Sequence, residues 1–160
     1  MTQILSGSAQ KVQDALTASG IELKVIKMAD STRTAVEAAA TIGCEVKQIV
    51  KSLIFKTADT DEMVLVMACG SNRVNEKKVS TIIGHPIKKA DANYVYEKTG
   101  FAIGGIPPIG HKEKIEHIIV DTDLLELREL WAAAGSPFAV FRLTPKQLVE
   151  LTKGQVEKIV

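Results

Sequence analysis

A lysine inside an apolar run is the first residue with chemistry to offer. Gln48-Ile49-Val50-Lys51-Ser52-Leu53-Ile54-Phe55 otherwise reads as a buried strand. Two readings of Lys51 are open. It can lie at a strand mouth, methylenes on the core and ammonium in water. It can also stand at a pocket rim, where low dielectric strengthens its pull on a carbonyl oxygen, carboxylate or phosphate. A second stretch bears on the choice. Phe101 to His111 contains Gly104, Gly105, Gly110, Pro107 and Pro108 and is otherwise mostly apolar, unlike a solvated linker. Glycines allow positive φ and close backbone approach, and prolines freeze what remains. The composition suits a rigid wall whose amides face a ligand, or a buried chain crossing without one.

Other reactive side chains are sparse. Cys44 and Cys69 lack CxxC spacing and sit in apolar, alanine-rich contexts, which fits reduced packing residues of a cytosolic protein. Neither has a base beside it in sequence. His111 and His117 have no cysteine cluster beside them, and His85 precedes Pro86 as a turn residue would. No metal site and no cofactor are therefore expected. A GxSxG elbow, a phosphate-binding Walker loop, HExxH and a dinucleotide fingerprint are all missing. Arg73, Lys77, Lys78, Lys88 and Lys89 form small basic clusters that fit solvated faces better than a phosphate track. With two tyrosines and one tryptophan, an aromatic platform for single strands is not supported.

Bulk composition sets the outer limits. At 160 residues and 46% hydrophobic, the chain has the size of one domain, 1–160, with a core that needs no staples. Twenty basic against nineteen acidic side chains leave a net charge of +1, which excludes general attraction to DNA or membrane. Contact with RNA must be local. Met1-Thr2-Gln3-Ile4-Leu5-Ser6 does not read as a leader, and no apolar run approaches the roughly 18 to 20 residues of a membrane helix. A cytoplasmic location is expected.

The elements that must position these residues follow from periodicity and caps. Helices are predicted over 8–19 (capped by Ser8), 35–42 (Thr34 and Glu37 as a capping box), 75–83, 91–99, 124–133 (opened by Asp123) and from Thr144-Pro145 to Gly154. Strands are predicted over 22–28, 52–56, 63–69, 117–121 and 138–142, with an acidic hairpin connection at 57–62. A short helical turn over 45–50 would put Lys51 at a helix-to-strand junction. Connections are too short for repeated βαβ crossovers. The expected fold is therefore α/β in the mixed sense, a mixed, curved or closed sheet with helices outside.

Ser31-Thr32-Arg33-Thr34-Ala35 with Glu37-Ala38-Ala39, the stretch Gln48 to Leu53, and Gly104-Gly105-Ile106-Pro107-Pro108 together resemble the YbaK/prolyl-tRNA synthetase-associated editing domain family. So do Ala134-Gly135-Ser136-Pro137 and Phe141-Arg142-Leu143-Thr144-Pro145. The resemblance runs over nearly the whole chain. It implies a mixed β-barrel with surrounding helices and a free-standing deacylase acting on mischarged aminoacyl-tRNA, often tRNA for proline. Lys51 matches the family's functional lysine. Gly104 and Pro108 match the ends of its G-x-x-x-P motif, with Gly105, Ile106 and Pro107 inside it. Ser52 stands where many relatives have threonine, and Ser136 corresponds to a pocket-lining region. Phe138 occupies a position where some similar proteins place a histidine. The implied partners are the acceptor end of a mischarged tRNA and an aminoacyl-tRNA synthetase. The rival reading is a non-catalytic module that keeps the cavity for an amino-acid-like ligand, a tRNA end or a partner.

Overall fold

A computed structural model describes residues 4–160; Met1, Thr2 and Gln3 of the segment read above as no leader lie outside the described residues. Helix α1 (Gly7–Ala18) is capped by Ser6, two residues earlier than predicted, whose hydroxyl accepts from the Ala9 amide. Strand β1 (Val25–Lys27) is shorter than expected. Helix α2 (Ala35–Ile42) begins on Thr34, whose side chain accepts from the Glu37 amide. The Glu37 carboxylate does not return to the cap, as a capping box would require, but accepts from the Ser31 hydroxyl at 2.8 Å. Gly43 stops α2 at φ +85°, a conformation that suits glycine.

A 3₁₀ turn (Val46–Gln48) leads directly into β2 (Ile49–Thr57). Lys51 is thus the third residue of a nine-residue strand rather than a junction residue. The acidic connection folds β2 back onto β3 (Met63–Cys69), with Lys51 opposite Ala68 and Phe55 opposite Val64. All seven residues of β3 are buried, as a continuous apolar run with cover on both faces should be. Then follow α3 (Glu76–Ile83), β4 (Ile87–Lys89), α4 (Ala92–Thr99) and β5 (His117–Asp121).

The predicted helix over 124–133 is absent. A 3₁₀ turn (Thr122–Glu126) gives way to strand β6 (Leu130–Ala133). Leucine and alanine favour a helix locally, but pairing of β6 with two strands overrides that preference. Strand β7 (Ala139–Leu143) and helix α5 (Pro145–Thr152) follow, and β8 (Gln155–Glu157) closes the described chain. Here the capping box is complete: Thr144 and Gln147 exchange side-chain to backbone bonds.

The eight strands form one mixed sheet in the order β1-β7-β6-β2-β3-β5-β8, with β4 paired to β2 off that path. Strand β2 pairs in parallel with β6, and β3 with β5 and β5 with β8 likewise; the other ladders are antiparallel. Among the described residues no ladder joins β1 to β8, so hydrogen bonds do not close the sheet. One face carries Val50, Ile54, Leu65 and Met67 into the main core with α1 and α5. The other carries Phe55, Val64, Val66 and Ala68 against Val79 of α3. No helix among the described residues is long and apolar enough to cross a membrane.

Candidate active site

The sheet parts along one edge of β2. Strand β6 pairs there only with Ile49 and Val50, and β4 only with Phe55 to Thr57. Lys51, Ser52, Leu53 and Ile54 have no strand neighbour on that side. Because alternate strand residues turn their amides and carbonyls to each edge, some backbone polar groups of this stretch face the gap. A cavity of about 590 Å³ fills it, lined by all of Ile49 to Phe55, by Lys89 of β4 and by Trp131, Ala132 and Ala133 of β6. That volume lies within the range of about 300–1,000 Å³ typical of small-molecule sites. The small side chains of Ala132 and Ala133 on β6 and of Ala35 and Ala38 on α2 keep it open.

Its charge is one-sided. Arg33, Lys51, Arg73 and Lys89 line it against a single carboxylate, Glu76, although the whole chain carries only +1. Arg73 and Lys89 are exposed, as predicted, yet also stand at the edge of this cavity, while Lys77 and Lys78 lie around a separate depression. Burial pushes the Lys51 ammonium pKa below its ordinary value, and the nearby Cys69 and Asp121 partly restore it. Lys51 Nζ donates to the carbonyl of Asn72. The Asn72 side chain donates in turn to Asp121 at 2.9 Å and to Asp123 at 2.6 Å. Asp121 is fully buried and also accepts from the Cys69 amide at 3.0 Å. The lysine is thus aimed by a network that sequence reading missed, since Asn72 and Asp121 belong to no motif singled out above.

Ser52 supplies a second polar atom. Its Oγ is buried and has no hydrogen-bond partner among the described residues. An unmade bond of this kind costs about 1–3 kcal/mol, so a ligand group that satisfies it gains accordingly. Both cysteines are free. Burial raises the Cys44 thiol pKa, and Cys69 Sγ donates to the Lys47 carbonyl, so both fit the expected packing role.

Of the glycine-proline stretch, Ile103, Gly104 and Ile106 line the cavity, whereas Gly105, Pro107, Pro108 and Ser136 do not. Gly104 sits at φ +97° in a turn closed by the Gly105 amide on the Ala102 carbonyl at 3.1 Å. That bond engages one amide expected to face a ligand. Those of Gly104 and Ile106 make no hydrogen bond within the described residues. The Arg33 side chain lies across Gly104, so close that an added Cβ would come within 2.6 Å of Arg33 Cγ. Gly105 and Ser136 meet behind the wall. The Gly135 amide donates to the Gly105 carbonyl at 2.9 Å, and a Cβ on Gly105 would lie 2.9 Å from Ser136 N and Cα. Gly105 and Ser136 therefore brace the wall. Pro107 accepts from His111 Nε2 at 2.7 Å, and burial lowers the His111 pKa, which keeps that imidazole neutral as a donor. Pro108 belongs to a second cavity of about 710 Å³ beside His117. Phe138 is exposed and absent from the lining of the first cavity.

Gly105→Ala is expected to lower stability by about 1–3 kcal/mol, because the clash is with backbone and a side chain cannot swing aside. Thermal unfolding reads this as a lower midpoint; an unchanged midpoint would show that the turn around Ser136 yields freely.

Comparison with known proteins agrees with this fold. The family described as the aminoacyl-tRNA editing domain matches residues 29–151, a span that contains every residue named above around the cavity. The uncharacterized protein YwhH of Bacillus subtilis (strain 168) is 32% identical over 149 residues, covering 93% of this chain and 94% of that protein. A proline–tRNA ligase of Brachyspira hyodysenteriae is 43% identical over 70 residues, which are 43% of this chain and only 12% of the ligase. A crystal structure of a candidate trans-editing enzyme for prolyl tRNA synthetase superposes with a TM-score of 0.91 at 46% identity, covering 98% of both chains. With the family matched over most of its length, the chain belongs to the aminoacyl-tRNA editing domain family.

Proposed function

We propose that the chain is a trans-acting deacylase that hydrolyses the ester joining a wrong, small amino acid to the terminal adenosine of a tRNA, in the first instance tRNA for proline. The carrying observation is the cleft cut into the sheet at Lys51 to Ile54, ringed by four cations against one carboxylate. Such a rim fits a polyanionic strand end, and the apolar interior fits a short side chain. Similarity to a candidate trans-editing enzyme over its full length supports action in trans.

An ester is already activated, so no protein nucleophile is required. Water adds to the carbonyl carbon, the bond from that carbon to the ribose oxygen breaks, and the water's proton passes to the departing oxygen, directly or through the neighbouring ribose hydroxyl. The products are the free amino acid and uncharged tRNA. Lys51 polarises the substrate oxygen or holds the terminal phosphate, and the free amides of Gly104 and Ile106 stabilise the developing oxyanion. Alanine, serine, threonine and cysteine fit beside Ala132 and Ala133. One methylene discriminates by only about 1–3 kcal/mol, so the panel of accepted amino acids should be broad.

The test is deacylation of tRNA for proline charged with proline, alanine, serine, threonine or cysteine, together with non-cognate charged tRNAs. Hydrolysis of a small non-cognate ester well above the buffer rate is expected. If none exceeds buffer, the deacylase reading fails, and tight binding without turnover would identify a binding module instead. Ser52→Ala supplies an independent check. Loss of an unpartnered hydroxyl should leave thermal stability unchanged or slightly raised. Loss of a substrate contact should lower kcat/KM about two- to tenfold. A stability loss with unchanged kcat/KM would remove Ser52 from the pocket chemistry.

A further inference from the structure

At the end of the sheet away from Lys51, three segments bring metal-ligand side chains together. Glu62 lies in the β2–β3 connection, His85 directly follows the cap of α3, and His117 opens β5 opposite Val64 of β3. One ligand atom from each of Glu62, His85 and His117 lies within 4.8 Å of the others. An ion about 2.0–2.2 Å from each in tetrahedral geometry needs them roughly 3.3–3.6 Å apart. Glu62 Oε1 and His117 Nε2 already stand 3.3 Å apart. Bringing His85 in from separations of at most 4.8 Å takes a movement of about an ångström.

We propose that Glu62, His85 and His117 form a binding site for a borderline divalent metal ion of the zinc class. A further contact supports it. Asp59 Oδ2 holds His85 Nδ1 at 2.9 Å, which orients the ring and leaves Nε2 as its metal-binding nitrogen. Metal-ligating histidines are characteristically oriented by a carboxylate in this way. Thr60 Oγ1 likewise fixes Glu62 Oε1 at 2.9 Å. Two imidazoles and one carboxylate select zinc-like ions over magnesium and calcium, which take all-oxygen shells. All three side chains are partly exposed, so an ion can enter and water can complete the shell.

The ion would act as a clamp, not as part of ester hydrolysis. Glu62 lies just before β3, whereas Lys51 faces Ala68 near its other end, about 20 Å away at strand spacing. Bound there, it ties the β2–β3 hairpin, the end of α3 and the start of β5. Sequence motifs do not show such a site because its ligands come from segments far apart in the chain.

The test uses the full chain stripped with chelator and titrated with zinc at pH 7.5 against a chromogenic competitor. One equivalent should bind at micromolar or tighter affinity, with a higher unfolding midpoint. His85→Ala, His117→Ala and Glu62→Gln should each weaken binding at least tenfold, and Asp59→Asn about 10- to 100-fold. Lys51→Ala should bind zinc as wild type does, which separates this outcome from the deacylase test. No uptake at 100 µM zinc (roughly a hundredfold above the expected affinity) overturns the proposal. So does undiminished binding by both His85→Ala and Glu62→Gln, or magnesium binding as tight as zinc.

Discussion

Lys51→Ala is expected to slow deacylation of a mischarged tRNA by about 10²- to 10³-fold, the usual loss when one donor to a developing oxyanion is removed. Single-turnover hydrolysis by wild type and variant measures it directly, and equal rates would strip Lys51 of its role while leaving the reaction intact. Lys51→Met, which keeps the stem, should lose as much activity and separates charge from packing. Burial lowers the pKa of the folded-state lysine from its ordinary 10.5, so the alkaline fall in kcat/KM should begin below that value. The same shift has a stability sign. The folded protein releases this proton more readily than the unfolded chain, so the charge costs stability below the folded pKa. That cost fades as pH climbs toward 10.5. Lys51→Met removes that cost but also the bond to the Asn72 carbonyl, so at neutral pH its unfolding midpoint should stay close to that of wild type while it is nearly inactive.

Asp121→Ala should show the opposite pattern, losing stability and activity together. Its carboxylate accepts from the Cys69 amide, the Asn72 side chain and the Asp123 amide, at 3.0, 2.9 and 3.0 Å. The Cys69 donor is buried, and leaving it unpaired costs about 1–3 kcal/mol by itself. The turn at Asn72 would loosen, and with it the carbonyl that aims Lys51. Asp121→Asn is the sharper probe. It nearly preserves volume but removes a charge that supports the Lys51 ammonium, so the alkaline limb of kcat/KM should move further down in pH. A limb that stays in place would show that Asp121 supports the fold alone.

These two experiments fall on residues of unequal legibility. Lys51, Ser52 and the glycine-proline wall could be read because a charge in an apolar strand and a stiff apolar loop are local anomalies. The caps at Thr34 and Thr144 are local too, and both cap their helices in the structure, Thr34 without the return bond from Glu37 that a capping box adds. What escaped was long-range. Asn72 reaches Asp121 across 49 residues, and nothing in either neighbourhood announces the bond. Leu130 to Ala133 favour a helix locally, and only the ladders from β6 to β2 and β7 reverse that. β4 and β8, of three residues each, are too short to leave a period. The division within the wall was equally hidden: sequence grouped Gly104 with Gly105, whereas one faces the cavity and the other supports the turn at Ser136.

The parting of β4 and β6 along one edge of β2 has a mechanical consequence. A groove laid on top of a sheet leaves the sheet as stiff with a guest as without one. Under the proposed function the guest would occupy a place in the hydrogen-bonded fabric itself, beside a stretch where the backbone lacks a strand neighbour. In the proposed complex, a substrate that bonds to that stretch would become a temporary strand segment between β6 and β4. Recognition and tightening of the scaffold would then be one event. A guest with the wrong outline would fail both to bind well and to stiffen the frame that holds Lys51 in line.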